Sequence, residues 1–241
     1  MIRHHQKGST LIVVLFILLA ITIIGTLAIR QSMVSLNIAT NSQAQQLMMQ
    51  NSDAATFNIE DTSNLVRSLA RDGMFGFIKG AENKGKELVF CFRGSRAQFF
   101  TLSQASMIYL NNSDTIVNSD LGVNGFCRTG ANTANFFTSE RRAVITQVSV
   151  SFTNSTSSMP FQDSIRGTDE ELSKIEKTER VVVNTTSLMP ALTSVDTDEI
   201  DDCLDSHISN SSTNGVANCL AGLNVPYATH VTEYTLGQAF L

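Results

Sequence analysis

The sequence predicts an α+β fold, one long N-terminal helix followed by several antiparallel strands. Three observations lead there. An uncharged apolar run, Leu11–Ile29, opens the chain. A polar but helix-patterned stretch follows it, with no Pro or Gly between Arg30 and Asp72. Beyond that, short apolar and alternating runs replace the helical period. Helix first and strands afterwards is the order of segregated α and β elements, not of alternating βαβ units.

The long helix is expected to run from Ser9 to about Gln50, giving a helical segment over 9–52 and a globular head over 53–241. In its second half Met33, Leu36, Thr40, Ala44, Leu47 and Met48 recur at three- and four-residue steps, an apolar stripe suited to lie on a folded head. A coiled coil would need Lys/Glu pairs beside that stripe, and they are missing. A second helix is expected over Ser63–Arg71, through Leu65, Val66, Leu69 and Ala70, stopped by Asp72-Gly73. Strands are expected at Leu88–Phe92, Met107–Leu110 and Ala143–Thr153. The last alternates, with Val144, Thr146, Val148, Val150 and Phe152 on one face and Gln147, Ser149 and Ser151 on the other. Val-rich Arg180–Ser187 is a suitable partner for it. Between them, Asn154–Glu179 is rich in Ser, Asp and Glu and reads as an exposed excursion with one short helix near Glu170–Lys177. The C-terminal region reads as loop-rich.

With 241 residues, 42% hydrophobic and 16% charged, the chain can bury a core. Its formal net charge is −5, and after the first thirty residues its basic residues are scattered apart from Arg141-Arg142. Nucleic-acid binding by counterion release needs a basic stripe, so nucleic acid is not an expected partner.

Fourteen of the nineteen residues in Leu11–Ile29 are Leu, Ile, Val or Phe, and nothing from Gly8 to Ile29 is charged. As a helix the segment is roughly 28 Å long, close to the hydrocarbon thickness of a bilayer. A buried soluble helix rarely stays apolar on every face for that length. The run is too long for a signal-peptide h-region, and no small-residue cleavage site follows it. The short basic head, Arg3-His4-His5-Gln6-Lys7, holds the N-terminus in the cytoplasm and leaves the rest exported.

The segment QKGSTLIVVLFILLAITIIGTLAIRQS resembles type IV prepilins, most of all PilX-type minor pilins. Such proteins carry a short basic leader ending in Lys/Arg-Gly before the apolar helix. The resemblance covers roughly the first fifty residues. It implies a leader over 1–8, cleavage between Gly8 and Ser9 by a prepilin peptidase, and methylation of the new N-terminus. It also implies a pilin-like arrangement, with the sheet packed on the outer half of the first helix. Major pilins usually carry Glu as the fifth mature residue, thought to pair with a neighbour's N-terminal amine inside the filament. Here that position is Val13. A buried carboxylate is tolerable only when paired, so its absence fits a tip or initiating subunit.

The four cysteines are Cys91, Cys127, Cys203 and Cys219. In an exported domain an even count reads as disulfides, and no C-x-x-C knuckle suggests zinc. Three pairings are open; proximity in sequence favours Cys91 with Cys127 and Cys203 with Cys219. Many pilins have a disulfide-closed loop near the C-terminus, which the second pair resembles.

Motifs for chemistry fail on inspection. Gly80–Glu87 nearly matches a phosphate-binding loop, but Glu87 stands where Mg²⁺ needs Ser or Thr. The acidic cluster Asp196, Asp198, Glu199, Asp201, Asp202 and Asp205 lacks a calcium loop's turning Gly and ligand at the proper places. It reads instead as a helix start, with Ile200, Cys203, Leu204 and His207 on an apolar face. His207 and His230 have no accompanying nucleophile motif. The phenylalanine pairs Phe99-Phe100 and Phe136-Phe137 read as core.

The expected protein is therefore structural, not an enzyme, and without cofactor or metal. The resemblance implies a minor pilin that helps initiate and cap a type IV pilus. It implies a start in the bacterial inner membrane and an end in the pilus, at its tip. The partners the resemblance implies are prepilin peptidase, other minor pilins, the major pilin and a PilY-type tip adhesin. The competing expectations are a tip pseudopilin of type II secretion, whose GspK-type subunit also lacks the Glu, and a signal-anchored adhesin or binding protein outside any filament.

Overall fold

A computed structural model describes residues 9–79, 81–83, 85–94, 98–130, 136–139, 141–152 and 179–236. The chain divides into two units, Met1–Ala44 and Gln45–Leu241. Helix α1, Ser9–Glu60, is continuous through the boundary. It outruns the expected end near residue 52 because its burial signal continues: Met48, Ser52, Ala55, Thr56 and Ile59 recur every three or four residues and are all buried. Ser and Thr on that stripe hid it from a reading of apolar residues alone. The earlier part of the expected stripe does not bury, and Met33 is 63% exposed.

Asp61 ends α1 with an extended backbone, and its carboxylate accepts the Ser63 N–H at 2.9 Å, capping α2, Thr62–Leu69. This bond is the largest cause holding the Asp61 pKa below its ordinary value. Helix α2 lies inside the expected Ser63–Arg71 apart from its first residue. It is turned outward, however: Val66 is 80% exposed while Ser68 is buried. Helix α3, Met74–Ile78, was not foreseen. A side chain at Gly73 or Gly76 would collide with the carbonyl oxygens of Arg67 and Ala70, so both glycines let α3 fold back tightly on α2.

Among the described residues six strands follow: β1 Glu87–Phe92, β2 Ala105–Leu110, β3 Ile116–Val117, β4 Ile145–Phe152, β5 Glu179–Leu188 and β6 Tyr227–Leu236. They form one antiparallel sheet in the order β3-β2-β1-β4-β5-β6. The register sets Leu88 opposite Val150 and Val150 opposite Val183, so apolar residues of three strands share the face turned to α1. There Leu88, Phe90, Phe92, Val148, Val150, Val181 and Val183 bury against Ala55, Ile59, Met74, Phe75 and Ile78. Each of the buried Val, Leu, Ile, Phe and Met side chains contributes about 1.5–3 kcal/mol of transfer free energy. Phe100 joins this core edge-on to Phe90, at a centroid distance of 5.1 Å.

A chain of buried hydroxyls crosses the same face. Ser52 Oγ lies 2.7 Å from Ser187 Oγ, Ser187 Oγ lies 2.8 Å from Thr146 Oγ1, and Thr138 Oγ1 donates to Thr146 Oγ1 at 2.9 Å. Each hydroxyl satisfies its neighbour, so polar groups are tolerated where α1 meets β5 and β4. Tyr234 on β6 donates to Glu60 Oε1 at 2.9 Å, tying the last strand to the end of α1. Burial, then that bond, raises the Tyr234 pKa.

The expected alternation of β4 is present, but its polar face is not a solvent face, since every residue of the strand is buried. The C-terminal region is also not loop-rich. It supplies α4, Thr197–Asp205, α5, Val216–Gly222, and the ten-residue β6. The excursion at 154–178 and its expected short helix lie outside the described residues.

Candidate functional site

Two regions hold the residues singled out from sequence. The first is the N-terminal half of α1. Gly8 and the leader lie outside the described residues, and Ser9 is the first residue of α1. Its most apolar 18-residue window has a mean hydropathy of 3.1, and none of that window is buried. This is one helix long and apolar enough to cross a membrane. Val13 is 53% exposed, one turn in from the start. The two hydroxyls within the span are satisfied inside the helix: Thr22 Oγ1 donates to Leu19 O at 2.8 Å and Thr26 Oγ1 to Ile23 O at 2.9 Å. The segment therefore presents no unsatisfied side-chain donor to an apolar surround.

The second region is the face of the sheet turned away from α1. Cys91 is bonded to Cys127 across a Cα–Cα distance of 4.9 Å, and Cys203 to Cys219 across 5.6 Å. Sequence separation hid one feature: both bridges sit in a single apolar cluster with Ile145, Leu188, Ile200, Leu204, Val216 and Leu220. The first bridge fixes the segment beside Cys127 to β1; the second joins α4 to α5.

Polar side chains clasp these pieces together. Gln147 of β4 accepts the Cys127 N–H at 3.0 Å and donates to Leu204 O at 2.8 Å. Asp201 Oδ1 accepts both the N–H and the hydroxyl of Thr129, each at 2.8 Å. Arg128 reaches Asp205 at 2.8 Å and Asp201 at 4.0 Å. Burial raises the Asp201 pKa, opposed by the Thr129 bonds and Arg128. Glu87, also buried, accepts the N–H groups of Ser209 and Asn210 at 2.9 and 2.7 Å. It holds the α4–α5 connection to β1. The residue that disqualified a phosphate loop is thus a structural clasp.

Burial raises the Glu87 pKa above its ordinary value of 4.5, against the opposing effect of its two backbone donors. A raised carboxylate pKa means the folded state binds the proton more tightly than the unfolded chain. The resulting stabilisation is full below the unfolded value and is lost as pH rises through the folded one. Glu87→Gln, which does not titrate, removes this dependence. The stability of the native protein relative to Glu87→Gln should therefore fall as pH rises from about 4.5 and then level off. Denaturation curves at several pH values measure it; a gap that widens in favour of the native protein with rising pH would refute the assignment.

The acidic cluster becomes the start of α4. Asp196 caps it by accepting the Asp198 N–H at 3.2 Å, while Ile200, Cys203 and Leu204 bury. His207 lies beyond the helix end, a correction to its expected place on the apolar face. His230 is exposed on β6, whereas His207 lies in the connection after α4. Among the described residues, no group of three or more His, Cys, Asp or Glu could hold a metal ion. Phe100 is buried, whereas Phe99, Phe136 and Phe137 are half-buried. Comparison with protein-family models, with curated proteins and with solved structures finds no match to this chain.

Proposed function

We propose that this chain is a minor pilin, cut after Gly8 and built into a type IV pilus near its tip. The observation behind this reading is α1 itself, whose uncharged, exposed apolar stretch, Leu11–Ile29, runs without interruption into a helix half that carries a sheet. An apolar surface of that extent needs a lipid or protein surround. One helix could occupy the bilayer first and a bundle of like helices afterwards. Two disulfides suit an exported head. The role is structural, through contacts with other minor pilins, the major pilin and a tip adhesin.

Processing tests it. Mature protein from piliated cells should lack residues 1–8 by mass, and Gly8→Trp should retain them and be missing from filaments. A peptidase reading an extended backbone has no room for an indole beside the scissile bond. An intact Met1 in mature protein would sink the proposal in favour of a plain membrane anchor.

A further inference from the structure

The sheet has two unequal edges. Strand β3 has two residues, whereas β6 has ten and pairs with β5 along its whole length. Among the described residues, no strand pairs with the other side of β6. Edge strands are usually short, bulged, or guarded by Pro or Lys, because their free N–H and C=O groups accept another strand. Strand β6, YATHVTEYTL, has no Pro, Gly, Lys or Arg, and its register to β5 runs from Tyr227 to Leu236 without a bulge. Four β-branched residues and two tyrosines favour extension. At its middle, Val231 is 60% exposed.

We propose that β6 is a self-pairing edge, through which two copies of this chain join β6 to β6, antiparallel about a two-fold axis at Val231. The residues select a second copy as the occupant. In this register Val231 meets Val231, His230 meets Thr232, Thr229 meets Glu233, Ala228 meets Tyr234 and Tyr227 meets Thr235. The exposed valines cover each other and no like charges are opposed. An axis at Glu233 would set carboxylate against carboxylate, and one at Thr232 would set Val231 against Glu233. Glu233 is already engaged by Arg180 of β5 at 3.4 Å. It therefore does not call for a basic strand from a different protein. The symmetric contact is self-closing, so it gives a dimer and not an open chain of copies.

Cysteine cross-linking in the full-length, membrane-inserted protein tests this. Among the described residues all native cysteines are in disulfides, so an introduced thiol is unique. Residues opposed in an antiparallel pair have Cα atoms about 4.5–5.5 Å apart, within disulfide reach. Val231→Cys should give a covalent dimer under mild oxidation. Thr229→Cys and Thr235→Cys, whose opposite residues are Glu233 and Tyr227, should give about tenfold less. Val231→Lys, at an exposed site that tolerates it, should shift the detergent-purified full chain from dimer to monomer. Equal cross-linking at all three positions would mean random collision and would overturn the register. No Val231→Cys dimer, or a native chain that stays monomeric at tens of micromolar, would overturn self-pairing. None of these readouts depends on filament assembly.

Discussion

Replacing Cys91 and Cys127 together with Ser should lower the unfolding free energy by roughly 4 kcal/mol. The bridge closes a sequence separation of 36, and chain entropy alone gives that magnitude for a loop of this size. The smaller bridge, Cys203–Cys219, with a separation of 16, should cost roughly 3 kcal/mol when removed the same way. Position adds to the difference. Cys127 is fully buried, and its N–H is held by Gln147, two residues before the Thr129 that Asp201 grips. Freeing Cys127 therefore loosens the segment through which α4 is attached, as well as lengthening the unfolded chain's reach. A Ser hydroxyl in that apolar cluster needs a partner that sulfur did not. Denaturant unfolding of the full chain in detergent, followed by circular dichroism, measures both double variants. A loss below about 1 kcal/mol for the first would show that the clasp holds without it.

The sequence made the apolar helix legible because a bilayer-length run without charge has few other uses. Strands β1 and β2 were legible as short apolar runs, Leu88–Phe92 and Met107–Leu110, and β4 and β5 because Val recurs in them as in a buried sheet. Strand β6 was not: half of its residues are Thr or Tyr and only one is Val, so neither face shows an apolar period. An edge strand is held by its ladder to β5 and buries little, which leaves weak pattern in the sequence. The end of α1 was missed for a related reason, since Ser52 and Thr56 bury through hydroxyl contacts and not through hydrophobicity. Helix α2 shows the reverse error, because Val66 marks an apolar face that the head does not cover. Glu87 and Asp201 are buried carboxylates whose partners lie at Ser209–Asn210 and at Thr129. No local motif announces such pairs; only the sheet brings them together. The two disulfides followed from proximity, but their shared cluster depends on α4 packing over Ile145 and Leu188.

If the chain is the tip subunit proposed above, Val13→Glu should let it reach the membrane but prime fewer filaments. At mid-bilayer a carboxylate costs about 2.5–3.5 kcal/mol on an insertion scale, and less near the end of the span, where Val13 lies. The helix N-terminus returns about 0.3–1 kcal/mol by favouring negative charge in the first turns. Insertion should therefore survive. Assembly differs, because within a filament the site is surrounded by other apolar helices and water cannot reach it. A subunit at the tip has no neighbour above it to supply an amine, so the new carboxylate stays unpaired at a cost of several kcal/mol. In a mid-filament subunit the same carboxylate would meet the amine of the next chain, and assembly would hold or improve. Pilus counts in cells whose only copy carries Val13→Glu separate the two cases. Fewer pili, with normal amounts of processed protein in the membrane, is the result expected of a tip subunit. More pili than the native strain would place the chain within the filament body, where the missing Glu is a loss that Val13→Glu repairs.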